Sequence, residues 1–187
     1  MTDDEAFDRV QAETADYSAK ETFTPSEHQA LKQAVFSDHF RRLVFADRSY
    51  FVLGNYDDGP KERRLTLVRD RLASRRDGAF AFLMKDIPEG WTYWTTKFKI
   101  LASRADYITL VLEDSHGSHH WEAGHIDAPQ YRPKVHVLKR AYEDEQTERA
   151  QFGAMIAHFV EILDRDNRVY EWQTEDELAS AVDDLPP

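Results

Sequence analysis

The clearest structural signal in this sequence is the run Tyr107-Ile108-Thr109-Leu110-Val111-Leu112. Almost every position in the run is apolar, and its β-branched side chains favour extended backbone. A strand that is apolar on both faces is typical of the centre of a parallel sheet, because helices cover both faces of such a sheet. The run therefore predicts a buried central strand.

On both sides of this run, short apolar segments alternate with segments of helical periodicity. The other predicted strands are Tyr50–Leu53, Ala79–Met84, Lys134–Leu138 and Val169–Trp172. The predicted helices are Lys61–Arg76, Trp91–Ser103, a short helix within Ser118–Ile126, a long helix over Glu143–Leu163, and Thr174–Val182. Strands joined by helices of this length predict a three-layer α/β sandwich, with a mostly parallel, flavodoxin-like sheet of about five strands.

The N-terminal region adds two further features. Residues 1–23 carry many charges and few apolar side chains, so we expect them to form a mobile acidic arm. Thr24-Pro25-Ser26-Glu27 has the pattern of a helix start, and apolar residues recur at helical spacing from Leu31 onward. We therefore predict an extra N-terminal helix within 24–46, followed by an α/β core over 49–187, so that 24–187 form a single domain.

Composition restricts the environment and the partners of the chain. The 187 residues carry a formal net charge of −11, which argues against nucleic-acid binding because phosphate backbones attract clustered Lys and Arg. The absence of Cys excludes disulfides and cysteine-ligated metals. No apolar stretch is long enough to span a bilayer, and the acidic N-terminus does not resemble a secretory signal. We expect a cytoplasmic protein with no membrane and no nucleic-acid partner.

The carboxyl ends of the predicted strands form the candidate site, because ligands of open parallel sheets bind there, near the point where strand order reverses. Gly54, Asn55, Tyr56 and Asp57 follow the first strand, and Trp91 ends the loop after the second. Loop amides can face a ribose or phosphate, a carboxylate suits a sugar hydroxyl or a structural turn, and an indole can stack on a base or pack in the core. The loop lacks the G-x-G-x-x-G fingerprint of dinucleotide sites, and we expect no cofactor.

The segment after the central strand carries the most unusual residues. Gly117 permits a tight turn and Ser118 is a natural N-cap, so Glu122 is predicted near the start of a helix, where the dipole favours an ionised carboxylate. Such a carboxylate can attack or stabilise a sugar carbon as its base departs. A solvated glutamate at a helix start is the structural alternative. Asp114 lies in the same segment, two residues after the central strand.

Four histidines, His116, His119, His120 and His125, surround Glu122. We expect His119 and His120 to contact substrate, where an imidazole can protonate a leaving base. The spacing matches neither the His-Glu-x-x-His zinc motif nor its inverse, so no metal is expected. His119, Glu122 and His125 are three residues apart in succession and stay open as an alternative ligand set.

The same segment resembles the nucleoside 2-deoxyribosyltransferases. The resemblance rests on Asp106 before the hydrophobic strand, Asp114 after it, and Glu122-Ala123-Gly124, within about residues 50 to 172. Toll/interleukin-receptor-like NAD-cleaving domains are similar in layout. The resemblance implies a flavodoxin-like fold, Glu122 as the nucleophile and Asp114 as its acidic partner. It also implies that Gly54 and Tyr56 approach the nucleoside.

The resemblance suggests an enzyme that cleaves or transfers the N-glycosidic bond of a nucleoside, nucleotide or NAD-like compound. Two alternatives stay open: a non-catalytic module of the same fold that binds a nucleotide or a protein, and a metal-dependent hydrolase built on the histidines. In that family a C-terminal substrate-binding segment can come from a neighbouring subunit. This sequence has no clear counterpart of that segment, which leaves a homo-oligomer open.

We predict that added salt raises the melting temperature. Of the 24 basic residues only 8 are Lys. A strongly acidic, lysine-poor composition is common in proteins adapted to high salt. An ordinary acidic cytosolic protein stays an alternative. Salt shortens the range of carboxylate repulsion, from about 10 Å at 0.1 M to about 3 Å at 1 M. Thermal scans across a sodium chloride series test this, and a flat or falling melting temperature would contradict it.

Overall fold

A computed structural model describes residue 5 and residues 38–56, 59–75, 78–87, 94–114 and 119–186, without the side chains at 38–40, 44, 96, 119–122, 145, 149 and 150. The strands are β1 (Arg48–Gly54), β2 (Ala79–Leu83), β3 (Tyr107–Leu112), β4 (Val135–Arg140) and β5 (Val169–Trp172). The helices are α1 (Asp38–Phe45), α2 (Gly59–Ser74), α3 (Trp94–Arg104), α4 (His119–Ile126), α5 (Glu145–Gln151), α6 (Ala154–Arg165) and α7 (Glu175–Asp183).

The five strands form one sheet in the order β2-β1-β3-β4-β5, and every neighbouring pair is parallel. The predicted α/β fold with a parallel sheet of five strands is therefore confirmed. β3 lies at its centre, and Ile108, Leu110 and Leu112 are fully buried. The chain runs from β1 outward to β2 and then crosses back to β3 on the other side of β1. The strand order thus reverses between β1 and β3, which is where a fold of this order forms its ligand crevice.

Two apolar clusters fill the space between the sheet and its helices, one on each face. On one face α2 and α7 supply the buried residues Leu65, Val68, Leu72, Leu178, Ala181 and Val182. On the other face α1, α3, α4 and α6 supply Leu43, Phe98, Leu101, Ile126, Ile156, Phe159 and Leu163, among others. The result is a three-layer sandwich. Within the described part of the chain, no helix has both the length and the apolar character needed to cross a membrane.

Asp106 has a structural position at the amino end of the sheet. Its carboxylate accepts hydrogen bonds from the backbone N–H and the hydroxyl of Ser49, at 2.8 and 2.9 Å. The backbone N–H of Asp106 in turn donates to the Ser49 hydroxyl at 3.0 Å. These bonds join the starts of β1 and β3. Asp106, one of the residues behind the sequence resemblance, therefore lies at the opposite edge of the sheet from the ligand crevice.

The predicted single helix over Glu143–Leu163 is wrong, because the chain forms α5 and α6 with a break at Phe152 and Gly153. Phe152 has extended backbone (φ −112°, ψ 118°) and is buried in the core, while Gly153 is the N-cap of α6. The extended backbone at Phe152 ends α5, and α6 begins after the Gly153 N-cap. The helical periodicity on either side of the break conceals it in the sequence.

Ion pairs of the buried Lys139 tie α5 to the sheet. Lys139 on β4 lies 2.6 Å from Glu148 on α5 and 2.8 Å from Glu171 on β5. Burial works to lower the pKa of Lys139, but its hydrogen bonds and charge interactions with the two carboxylates outweigh burial and raise that pKa. Asp144 also caps α5, because its carboxylate accepts from the Thr147 N–H at 2.8 Å.

The N-terminal region is described only in part. α1 falls inside the predicted N-terminal helix of residues 24–46, and Leu43 packs in the core. The remaining residues of that predicted helix, 24–37, lie outside the described residues. The predicted arm of residues 1–23 also lies outside them, apart from the exposed Glu5.

A row of aromatic rings crosses the sheet on the face covered by α2 and α7. Tyr50 stacks on Tyr107 with ring centroids 5.4 Å apart, and His136 lies 5.9 Å from Tyr107 and 6.0 Å from Tyr170. His136 is buried, and burial together with the charge of Arg168 lowers its pKa from 6.5 to about 4. The imidazole is therefore neutral at pH 7.

We predict that His136 makes stability fall as the pH drops below 6.5. Its folded pKa is lowered, so its contribution is complete above 6.5 and is lost as the pH falls through about 4. Between pH 7 and pH 5 the native protein should lose about 2 kcal/mol more unfolding free energy than a His136→Phe variant. Urea unfolding at both pH values measures this difference. Equal pH dependence in the two proteins would contradict the prediction.

Candidate functional site

The carboxyl ends of β1 and β3 meet at the point where strand order reverses. Gly54 pairs with Val111, so the residues that follow Gly54 lie beside those that follow β3. The structure thus brings together two of the predicted site segments, Gly54–Tyr56 and the segment that ends at Asp114. The first turns of α2 lie at the same edge, because Lys61 and Arg64 contact residues just after β3.

Gly54 is required for packing. A Cβ built there would lie 2.6 Å from Cδ2 of Leu65 on α2 and 2.9 Å from the backbone oxygen of Val111. Both distances are shorter than a real Cβ contact, and its φ of +156° is also unusual for a residue with a side chain. Gly124, one of the residues on which the sequence resemblance rests, differs from Gly54. A Cβ at Gly124 would have nothing within 4 Å, so packing does not require a glycine there.

Asn55 and Tyr56 follow β1 at the point where strand order reverses. Asn55 is buried and Tyr56 is half-buried against the cluster on the α2 face. The ammonium of Lys85, beyond β2, lies 5.7 Å from the centroid of the Tyr56 ring, and Lys85 also pairs with Glu62 on α2. The other residues predicted to bind substrate in these loops, Asp57 and Trp91, lie outside the described residues.

Asp114, the predicted acidic partner, forms an ion pair with Lys61 on the first turn of α2. Their closest atoms, Oδ2 and Nζ, are 2.9 Å apart, and both side chains are mostly buried. Reduced solvent access strengthens an interaction of this kind relative to an exposed pair. The carboxylate is thereby fixed at the mouth of the crevice between α2 and the loop after β3.

Glu113 is the centre of a larger ion-pair network that the sequence did not single out. Its side chain is only 5% exposed and accepts two parallel bonds from Arg64, at 2.9 Å from Nε and 2.6 Å from Nη2. Arg140, at the end of β4, approaches the same carboxylate at 3.5 Å. Arg64 also lies 3.7 Å from Glu175 at the start of α7. The network joins β3, β4, α2 and α7 at the carboxyl edge.

Two aromatic rings support this network. The guanidinium carbons of Arg64 and Arg140 lie 5.9 and 5.7 Å from the ring of the buried Trp172. Tyr142 lies 5.6 Å from the Arg140 guanidinium, and its hydroxyl donates to the backbone oxygen of Glu113. Burial raises the pKa of Tyr142, with the Arg140 charge opposing that rise, so the hydroxyl stays a proton donor at neutral pH.

Beyond β4 and β5 the same edge opens into a polar groove of about 330 Å³. Its lining residues are Arg140, Ala141, Tyr142, Glu143, Asp144, Thr147 and Gln173. The Asp144 carboxylate accepts hydrogen bonds from the backbone N–H and the hydroxyl of Thr147, and these hold its pKa below the ordinary value. We refer to this feature below as the polar groove.

The backbone of α4 begins at His119, so Glu122 lies on its first turn, as predicted. The side chains of His119, His120 and Glu122 lie outside the described residues, and so does all of His116. The His125 ring is half-buried and meets Phe98 of α3 edge-on, with centroids 6.0 Å apart. Among the described side chains, no group of three histidines or carboxylates is arranged to hold a metal, and the alternative set of His119, Glu122 and His125 stays a prediction.

Sequence reasoning does not select Lys61, Arg64, Glu113, Arg140 or Tyr142 as individual site residues. Glu113, Arg140 and Tyr142 lie in the segments that follow two predicted strands, and that position is the signal that points to them. Lys61 and Arg64 carry no such signal, because charged residues on an amphipathic helix are usually solvated. Together these residues form an edge of oriented charges that can hold a polar ligand.

We predict that Glu113→Gln destabilises the protein strongly. The substitution keeps the size of the side chain but leaves the mostly buried Arg64 without its bidentate partner, which should cost about 3 kcal/mol of unfolding free energy. Urea unfolding measures this loss. Glu161→Gln, which breaks the exposed pair with Arg165, is the matched control and should change stability little. A loss below about 1 kcal/mol in the Glu113 variant would contradict a structural role for the network.

A search of curated proteins finds none that matches this chain. One family does match: its profile, described as a family of unknown function (DUF8170), aligns with residues 4–162. The matched region includes β1 to β4 and most of α6, and therefore Lys61, Arg64, Glu113, Asp114 and Glu122. Because the match extends over most of its length, the chain belongs to the family of unknown function DUF8170.

Proposed function

We propose that this protein cleaves or transfers the N-glycosidic bond of a nucleoside-type substrate, with Glu122 as the reacting carboxylate. One observation carries the proposal: Glu122 is on the first turn of α4, and α4 follows β3 at the point where strand order reverses. In folds of this strand order that point is the ligand crevice. The first turn of a helix also favours an ionised carboxylate.

The proposed reaction begins with departure of the base. The bond between the anomeric carbon and the base nitrogen breaks, and its electron pair leaves with the base, which takes a proton from His119 or His120. A carboxylate oxygen of Glu122 forms a bond to the anomeric carbon or stabilises its positive charge. Water or an acceptor base then attacks that carbon, gives a proton back to the same histidine and releases the carboxylate.

Asp114 acts in this proposal as a fixed carboxylate beside the reacting sugar. Its ion pair with Lys61 at 2.9 Å keeps it in place. A fixed carboxylate accepts hydrogen bonds from sugar hydroxyls and orients the sugar toward Glu122. Proton donation to the base therefore falls to the histidines of α4 and not to Asp114.

A second function, a non-catalytic nucleotide- or protein-binding module, is favoured by a different observation. Both carboxylates described after β3 are engaged in ion pairs, Glu113 with Arg64 and Asp114 with Lys61. Carboxylates that are held in ion pairs are well suited to contact a ligand without reacting with it. Binding without turnover distinguishes this function from the first.

The test is release of a free base from a panel of ribonucleosides, 2′-deoxynucleosides, nucleotides and NAD, followed by chromatography at low and high salt. Glu122→Gln keeps the shape of the side chain but removes its charge. The rate of base release should fall by about a thousandfold or more. The melting temperature should change little, because a carboxylate near a helix start contributes at most about 1 kcal/mol.

Glu161→Gln on α6 makes the same chemical change at an exposed position and should leave the rate unchanged. Asp114→Asn should lower the rate less than Glu122→Gln does, since it affects orientation only. If no substrate releases a base at either salt concentration, the enzymatic proposal fails. Tight binding of a panel member would then support the binding module.

A further inference from the structure

Arg140 is positioned to bind an anion in the polar groove. Its guanidinium lies 5.7 Å from the ring of Trp172 and 5.6 Å from the ring of Tyr142, so two aromatic contacts restrict its orientation. Among the described residues, Glu113 is its one hydrogen-bond partner, at 3.5 Å. A guanidinium has five N–H donors, and most of those of Arg140 are left for a ligand.

Glu113 does not need Arg140 for charge balance, because Arg64 already binds both of its carboxylate oxygens at 2.9 and 2.6 Å. The side chain of Arg140 is 39% exposed and lines the polar groove. A half-exposed guanidinium beside aromatic rings can recognise planar or tetrahedral oxyanions through paired hydrogen bonds. Such an anion would accept hydrogen bonds from the N–H groups of Arg140 that do not bond to Glu113.

We propose that the polar groove binds the phosphorylated sugar end of a nucleotide, with Arg140 on the phosphate. This inference rests on the proposed function and narrows its substrate class from nucleosides to nucleoside monophosphates. The groove volume of about 330 Å³ is at the small end of the range for ligand sites, which is ~300–1,000 Å³. That volume suits a sugar phosphate better than an entire dinucleotide.

The carboxylates of the groove favour a sugar phosphate over inorganic phosphate. Glu143 and Asp144 lie on the same wall as Arg140 and oppose the entry of a bare anion. Asp144 is engaged in capping α5, whereas the exposed Glu143 is available to accept hydrogen bonds from sugar hydroxyls. A ligand that carries hydroxyl groups and a phosphate can donate hydrogen bonds to Glu143 and accept them from Arg140.

The position of the groove agrees with a sugar at the crevice. Arg140 ends β4, which is the strand next to β3, and neighbouring strands are about 4.8 Å apart. A sugar ring bridges a distance of that order. Tyr142 links the polar groove to the end of β3. It lines the groove, and its hydroxyl donates to the backbone oxygen of Glu113, the residue that precedes Asp114. A sugar at the end of β3 would therefore direct its phosphate toward Arg140.

The test compares binding of adenosine, guanosine, cytidine and uridine with binding of their 5′-monophosphates and of inorganic phosphate by calorimetry. The native protein should bind at least one monophosphate more tightly than its nucleoside and more tightly than inorganic phosphate. Arg140→Gln should weaken monophosphate binding by about tenfold or more and leave nucleoside binding unchanged. Arg140→Lys keeps the charge but loses the planar fork, so it should weaken monophosphate binding less.

Arg165→Gln removes an exposed positive charge from α6 and is the matched control for the change in net charge. If Arg140→Gln lowers the melting temperature, the comparison relies on Arg140→Lys. The inference is overturned if no monophosphate binds, if inorganic phosphate binds as tightly, or if the Arg140 variants bind monophosphates as the native protein does.

These outcomes are separate from those of the proposed function. Monophosphate binding that depends on Arg140, without base release, would support the groove and contradict catalysis. Base release without a preference for monophosphates would support catalysis and contradict the role of the groove.

Discussion

The pairing of β1 with β3 is the constraint on which the rest of this structure depends. At its amino end the two strands are joined by the hydrogen bonds between Ser49 and Asp106. At its carboxyl end Gly54 lies so close to β3 and α2 that no side chain fits. Because the strands stay in register along this length, the two loops that follow them emerge side by side. Every residue of the candidate crevice takes its position from that pairing.

The charges at the carboxyl edge are unusual for a chain with a net charge of −11. Most basic residues of such a protein face an excess of carboxylates, and long-range repulsion dominates its surface. Here Lys61, Arg64 and Arg140 gather at one edge with Glu113 and Asp114 between them. Glu175 adds a third carboxylate beside Arg64, so each of these basic side chains lies within ion-pair distance of an acidic one. Burial beside Trp172 protects these pairs from screening by salt.

Hydrophobic pattern is enough to predict most of the fold. The run at 107–112 predicts the central strand with its observed bounds, and the run at 169–172 predicts the last strand with its observed bounds. Short apolar strands between amphipathic helices leave few other arrangements, because each apolar face has to be covered. The break between α5 and α6 is different, since it depends on where the Phe152 ring packs in three dimensions. The local hydrophobic pattern of the sequence does not predict that packing.

The candidate site was only partly predictable for a similar reason. The ends of strands are visible in the sequence, so Gly54, Asn55, Tyr56 and Asp114 were identified and do gather at one edge. The pairing of Glu113 with Arg64 joins residues 49 positions apart, and no spacing rule connects them. Trp172 belongs to the last strand and had no predicted role at the edge. Contacts between distant segments thus decide which polar residues form a site, and the sequence does not show those contacts.

The steric requirement at Gly54 has a consequence for how this protein can diversify. A position that admits no side chain cannot be used to reshape the crevice, however selection acts on it. New ligand preferences would have to arise at other positions, such as those along the polar groove. Gly54 thus serves as a fixed point of the backbone, around which the neighbouring side chains can vary.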